Sequence, residues 1–372
     1  DLVGIFDKPK YFSYLEEKCA HSRNQIEGCR QCIDICSADA ITSVDFQIVV
    51  NPYLCQGCGD CSVVCPSGAM NYQYPSRQDI LNQLRSMLKA FYSAGGGPPV
   101  VVFCNAEDRS VLTSHRNDYL LFPLESLSSV GAEVWLAALA FGAGLVVLYN
   151  SEPLLASSEQ VLNNELEVTR TILMGMGFSE KLLYRSEGIL VQNNNADFLT
   201  IPPATFVGDN DKRAIFRLAV DHLFNYASQQ PRQVKLLGNT VWGEVKAARD
   251  LCTLCFSCVS ACPSGALQSG QNSPQLNFIE SLCLQCNLCV STCPEQALAL
   301  SARYVYDGVV ARSSRRLHEE SAFHCINCQK PFATEKMMTV MKEKLSGHPM
   351  FQGEALKRLE MCEDCRIKSQ FG

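Results

Sequence analysis

Cys55-Gln-Gly-Cys58-Gly-Asp-Cys61-Ser-Val-Val-Cys65-Pro66 sets a spacing that returns twice more in the chain. The second copy is Cys252-Thr-Leu-Cys255-Phe-Ser-Cys258-Val-Ser-Ala-Cys262-Pro263. The third is Cys283-Leu-Gln-Cys286-Asn-Leu-Cys289-Val-Ser-Thr-Cys293-Pro294. Three closely spaced thiolates on one tight loop can cap three irons of a cubane, and the fourth iron needs a ligand from elsewhere. In such a run the first three cysteines hold one [4Fe–4S] cluster and the fourth ligates its neighbour. Proline after the fourth cysteine fixes φ and turns the chain away. Three complete copies set aside both chance and a zinc site.

An irregular block precedes them. Cys29-x2-Cys32-x3-Cys36 has Ser37 in place of proline and Cys19 ten residues upstream. Cys19 reads as the displaced first ligand, with residues 20–28 as an inserted loop. The tail Cys36-Ser-Ala-Asp-Ala40-Ile41 parallels Cys65-Pro-Ser-Gly-Ala69-Met70 and Cys293-Pro-Glu-Gln-Ala297-Leu298. The competing reading makes Cys19 a free core thiol and this site a three-iron cluster.

The blocks pair, because Cys36 and Cys55 are nineteen positions apart and Cys262 and Cys283 twenty-one. Each pair predicts a compact two-cluster module with internal pseudo-twofold symmetry, βαββαβ in outline. Crossing the fourth ligands assigns four clusters. The first takes Cys19, Cys29, Cys32 and Cys65; the second Cys55, Cys58, Cys61 and Cys36. The third takes Cys252, Cys255, Cys258 and Cys293; the fourth Cys283, Cys286, Cys289 and Cys262. The repeat Cys-Pro-Ser-Gly-Ala at Cys65 and Cys262 marks one module as a copy of the other.

Sixteen of the 21 cysteines are then used. Cys325-x2-Cys328 and Cys362-x2-Cys365 read as paired knuckles for one structural Zn²⁺, with a helix over Thr334–Lys344 in the gap. A fifth iron–sulfur cluster is the rival. His324 and His348 are left out, since four thiolates satisfy zinc. Cys104 stands alone after the apolar Val100–Phe103 and reads as a buried strand-end thiol.

Composition agrees with metal chemistry in folded domains. Hydrophobic residues make up 47% of 372 and charged residues 19%, enough apolar content for packed cores. The net charge of −6 argues against a nucleic-acid binder. The most apolar stretch, Val134–Asn150, is too short to span a bilayer and is broken by Gly142 and Gly144, so no transmembrane segment is expected. The stretch from Asp1 shows neither a basic region followed by an apolar one nor a twin arginine. Asp1 is not an initiator methionine, so where the natural chain starts is open.

Between the modules, residues 76–235 alternate. Helices are predicted from Ile80 to Phe91, over 129–141, 157–176 and 211–226, and strands at 100–103, 119–123, 145–149 and 188–192. This predicts an open parallel sheet with helices on its faces. No Gly-rich nucleotide motif or nucleophile elbow occurs there, and His115 and His222 read as surface or satisfied polar groups. Arg303–Arg312 reads as a hairpin turning at Asp307-Gly308. Arg312, Arg315 and Arg316 form a small basic patch, read as a solvated face. The fold class is therefore α+β and α/β, in four parts: 1–75, a dicluster module; 76–235, the α/β domain; 236–302, the second module; 303–372, the hairpin and a zinc-ribbon-like element.

Residues 19–70 and 252–300 are similar to bacterial two-cluster ferredoxins, which implies ferredoxin-like modules. Residues 98–192 resemble the hydrogenase delta-subunit domain, in the strand ending at Cys104 and the helix–Gly–strand Gly131–Tyr149. That family holds a [2Fe–2S] cluster through several cysteines; only Cys104 is present here, which implies a spacer or docking platform without the cluster. The whole layout, including Cys325-Ile-Asn-Cys328-Gln-Lys-Pro-Phe332 and Met361-Cys-Glu-Asp-Cys365-Arg366, resembles bacterial 4Fe–4S polyferredoxin-type proteins of the formate dehydrogenase-associated group. The resemblance implies a cytoplasmic electron-transfer subunit, not itself an enzyme. It would relay single electrons between a formate dehydrogenase-like redox subunit and a carrier. The alternatives are an assembly or redox-sensing factor for a molybdenum or tungsten enzyme, and a flavin or nucleotide enzyme centred on the middle domain.

Overall fold

The computed structural model describes residues 8–21, 27–112, 119–187, 198–207, 211–238, 240–271 and 273–371. They fall into two compact units. One comprises residues 1–243, 284–286 and 302–311; the other 244–283, 287–301 and 312–372.

The first unit opens with β1 (Phe12–Tyr14), α1 (Gln31–Asp34), β2 (Ile41–Val44), β3 (Gln47–Val50), α2 (Asp60–Val64) and β4 (Met70–Tyr72). β1 pairs antiparallel with β4, Phe12 opposite Tyr72, and β2 with β3, Ile41 opposite Val50. The β2–β3 turn has both central residues, Asp45 and Phe46, at positive φ. That left-handed pair matches the strand twist in two-residue hairpins. Phe12, Ile41, Ile48, Ala69 and Met70 form a small core with the thiols Cys19 and Cys65.

The α/β segment follows with α3 (Arg77–Ser93), β5 (Val100–Asn105), α4 (Arg109–Leu112), β6 (Tyr119–Leu124), α5 (Ala132–Ala140) and β7 (Leu145–Asn150). It continues through α6 (Ala156–Gly175), β8 (Leu183–Glu187), α7 (Lys212–Asn225) and β9 (Gln233–Lys235). Ser76 caps α3 by accepting the Asp79 N–H, and Ile80, Leu81, Leu84 and Leu88 line its buried face. β6-β5-β7-β8 form a parallel sheet, Val100 sitting opposite both Tyr119 and Leu145. Strand alternation sends Val101, Phe103, Val146 and Leu148 into one large core with α3, α5, α6 and α7. Val100, Val102, Leu145, Val147 and Tyr149 face the other side with Leu112. α5 is buried on every side, which explains its unbroken apolar sequence. The strand expected at 188–192 and His115 lie outside the described residues; the fourth strand seen is β8, immediately upstream.

The second unit carries β10 (Gly243–Ala247), α8 (Ser257–Ala261), β11 (Leu267–Ser269), β12 (Gln275–Phe278), α9 (Leu288–Ser291) and β13 (Leu298–Val305). The order repeats that of the N-terminal segment: β10 pairs with β13, and β11 with β12, Leu267 opposite Phe278. In the first unit, Arg303–Val305 of β13 pair with β9. After α10 (Gly308–Arg312), β14 (Arg315–Glu319) joins β12. β15 (Ala322–His324) and β16 (Pro331–Thr334) make a hairpin before α11 (Glu335–Leu345), α12 (Glu354–Arg358) and α13 (Glu363–Phe371).

The hairpin expected over Arg303–Arg312 is not formed. Asp307-Gly308 opens helix α10 instead of turning a strand. The Asp307 carboxylate accepts the N–H groups of Val309 and Val310 at 2.8 and 3.1 Å, the work of a helix cap. A turn dipeptide and a cap share the same residue types, and the capping bond decides between them. Among the described residues no helix is long and apolar enough to cross a membrane.

Candidate metal centres

The three complete cysteine runs share one loop shape. Positive φ occurs two residues after the first cysteine (Gly57, Leu254, Gln285) and one after the second (Gly59, Phe256, Asn287). It returns three residues after the fourth cysteine, at Gly68, Gly265 and Gln296, and also at Asp39 of the irregular block. For a non-glycine residue this conformation costs about 1–2 kcal/mol. Leu254, Phe256, Gln285 and Asn287 accept it at matched positions, so the loop shape answers a shared demand: turning three thiols to one point. The irregular block departs at Arg30, where φ is −113° and α1 begins at once.

Thiols of three of the four expected sets converge. In the first unit Cys32 lies among Cys65, Cys29 and Cys19, and Cys61 among Cys58, Cys55 and Cys36, with Cys32 also near. In the second, Cys258 lies among Cys252, Cys255 and Cys293. Cys283 and Cys289 are buried in the core of the second unit and Cys262 packs against it; Cys286 lies in the 284–286 segment. Burial first, and the neighbouring thiols second, push Cys32 and Cys61 far above the ordinary thiol range and Cys258 to about 12. Such crowded sulfurs become thiolates only beside a strong positive charge. This donor set fits an iron–sulfur cube.

Backbone N–H groups already point at several sulfurs. Ala40, Met70 and Ala297 donate to Cys36, Cys65 and Cys293 at 3.3, 3.4 and 3.3 Å. At Cys19 the donor is the His21 N–H at 3.4 Å. The buried His21 ring bridges the Cys29 carbonyl at 3.1 Å and the Ser43 hydroxyl at 2.7 Å. It ties the two ends of the insertion together, a role with no signature in the sequence.

The parallel sheet seats the Cys58–Cys61 loop. In open α/β sheets ligands lie beyond the carboxyl ends of the strands. Here the residues after β6 and β7 hold a cysteine loop there. The Ser128 hydroxyl donates to the Cys58 carbonyl at 2.8 Å, and Ser158, in the first turn of α6, to the Asp60 carboxylate at 3.0 Å. A Cβ on Gly59 would stand 2.5 Å from the Ser129 backbone, so the close approach requires glycine. A buried Arg77–Glu133 pair at 2.8 Å, with Arg77 also on Asn71 of β4 at 2.8 Å, adds a charged tie. Lys212, in the first turn of α7, reaches the carbonyls of Ser62, Val63 and Cys65 at the end of α2. Lys336 of α11 does the same for Arg249, Asp250 and Cys252 in the second unit. A lysine opposes the dipole at a helix N-terminus. That misplacement is the only mark either residue leaves in the sequence.

The sulfurs of Cys325, Cys328, Cys362 and Cys365 all lie within 4.8 Å of one another, the only such metal-ligand group among the described residues. Cys328 and Cys362 are 3.5 Å apart. Burial raises Cys325, but N–H groups of Cys362, Cys328 and Asn327 outweigh it and draw the thiol down to about 6. Four sulfurs at the corners of one small volume suit tetrahedral zinc. α11, capped by Thr334, fills the gap between the knuckles as expected. Arg315 is paired with Glu244 at 2.7 Å and Arg316 with Glu319, so much of the basic patch is internally neutralised. Cys104 is fully buried in β5, and burial lifts its thiol to about 11.

Comparison with known families finds the iron–sulfur signature in both units. Residues 251–298 match the 4Fe-4S dicluster domain family, and residues 47–70 a 4Fe-4S binding domain family. No curated protein matches the chain. The chain carries 4Fe–4S-binding domains of ferredoxin type in a mixed helix-and-strand fold with a parallel sheet.

Proposed function

We propose that the chain is an electron relay with four [4Fe–4S] clusters and one structural zinc, held by the cysteine sets read from the sequence. The observation that carries this is the convergence of Cys19, Cys29, Cys32 and Cys65 in space, although they are spread over 47 positions. That crossing of a fourth ligand into a neighbouring block is what a dicluster module requires. It also supports Cys19 as a ligand. The clusters supply one-electron storage without rearranging their ligands. The chain supplies N–H donors to sulfur, burial, and the Lys212 and Lys336 charges near Cys65 and Cys252; each of these levers shifts a cluster potential.

The α/β segment, akin to a hydrogenase delta-subunit domain, serves as the seat of one cluster loop. The four segments 1–75, 76–235, 236–302 and 303–372 are its working parts. The partner is a cytoplasmic redox subunit of formate dehydrogenase type, with a separate carrier at the other end. Anaerobic co-purification tests this. Stable stoichiometric capture of a catalytic subunit, with cluster reduction when its substrate is added, is the expected result. Transient capture without reduction would favour an assembly or sensing factor.

A further inference from the structure

A cavity of about 280 Å³ opens in the first unit beside the N-terminal cysteines. Gln31 and Ile35 on its wall flank Cys32 and Cys36, and Val64 precedes Cys65. Three of its wall residues are thus direct chain neighbours of ligands of both proposed N-terminal clusters. The remaining wall comes from α6 and the Thr240–Trp242 segment. Val161 and Val168 give an apolar face, and Gln160 and Asn164 place carboxamides at the mouth. No lysine or arginine lines it, so the wall offers a phosphate no side-chain cation. Its volume is near the lower end of small-molecule pockets, about 300 Å³.

We propose that this cavity takes a quinone headgroup, which the two adjacent clusters reduce with Glu165 as a proton donor. The proposal rests on the electron-relay reading. A quinone needs two electrons and two protons. Each cluster supplies one electron and is oxidised by one. Each carbonyl oxygen gains a proton as the ring becomes a hydroquinone; Glu165 gives one and bulk water at the mouth the other, and Glu165 then recovers its proton from solvent. The carboxamides offer N–H donors to the carbonyl oxygens, and the valines pack the ring.

The surroundings of Glu165 suit that task. Its carboxylate accepts the Ala132 N–H, and it is faced by Lys212 from α7, by Glu133 from α5 with its Arg77 partner from α3, and by Asp34 from α1 across the cavity. Burial outweighs the Lys212 attraction and lifts its pKa to about 7, so it is partly protonated at neutral pH. A donor poised there is worth about a hundredfold in rate.

The test uses the full chain, purified anaerobically with its iron content measured, and menadione as the probe. Equilibrium dialysis against the oxidised protein should show one saturable menadione per chain. Val168→Phe, which fills the cavity, and Asn164→Leu, an exposed change, should each weaken binding about tenfold or more at unchanged iron content. After reduction and removal of excess reductant, menadione should reoxidise the clusters with saturation. Glu165→Gln should slow that step about a hundredfold while leaving binding intact. Unsaturable binding, or binding that neither variant weakens, overturns the proposal. Saturable binding to protein of full iron content whose reduced clusters menadione does not reoxidise keeps the relay but overturns the cavity's role in quinone reduction, whereas an iron content short of the N-terminal clusters overturns the relay reading on which the proposal rests.

Discussion

At the scale of single residues, Cys19 and Glu165 make the sharpest claims. Cys19 was legible from the missing first cysteine of an otherwise regular block, and the structure places it beside Cys29, Cys32 and Cys65. Cys19→Ser should cost about four irons per chain, the content of one cubane, and leave zinc unchanged. Loss of a single iron would mean that Cys19 holds only one corner of a cluster that survives without it. Glu165 was not legible, because a lone glutamate at an apparently solvated helix position carries no pattern. Its pKa is raised by burial, so the folded state binds a proton more tightly than the unfolded chain. Its contribution is therefore fully present below about pH 4.3, the unfolded value, and is lost as pH rises through about 7. Glu165→Gln should flatten the fall in thermal midpoint between those limits, as read by scanning calorimetry. An unchanged slope would show that the carboxyl is solvated in the native protein.

Elements reveal why the sequence reading went as far as it did. α3, α5, α6 and α7 and the strands β5, β6 and β7 were readable because burial imposes a period on the apolar residues, and the observed bounds differ from the expected ones by a few residues. The Asp307-Gly308 pair misled because a dipeptide cannot say whether its aspartate will turn a strand or cap a helix. The seat of the Cys58–Cys61 loop was invisible for another reason. Ser128, Ser158 and Gly59 act across 70 to 98 positions of chain, and no local pattern records that. Two paired variants test the seat. Gly59→Ala should lower the thermal midpoint and iron content together, since its Cβ meets backbone. Gly265→Ala, at a matching positive φ with open space around it, should cost only about 1–2 kcal/mol of left-handed strain. Equal effects would show that the contact at Ser129 is not needed. Arg77→Met removes the hydrogen-bonded partner of buried Glu133 and leaves the Lys212 charge to offset it, so chemical denaturation should show a loss of about 3 kcal/mol, the low end for a broken buried pair. A loss below about 1 kcal/mol, the value of a surface pair, would mean that water reaches this site.

For the whole molecule, the cysteine count and spacing announced iron–sulfur chemistry before any coordinate was known, and the family matches at 47–70 and 251–298 agree with it. What the spacing could not foretell is the grouping of parts. The N-terminal cysteine segment and the parallel sheet share one compact unit, while the knuckles share the other with most of the second module, residues 284–286 around Cys286 excepted. A metal map of the intact chain tests the central claim most directly. Iron, acid-labile sulfide and zinc should be measured on anaerobically purified protein, with EPR of the dithionite-reduced sample. About sixteen irons, a matching sulfide content and one zinc per chain follow from four cubanes and one four-thiolate site. About twenty irons without zinc, or fewer than about fifteen, would contradict the ligand map.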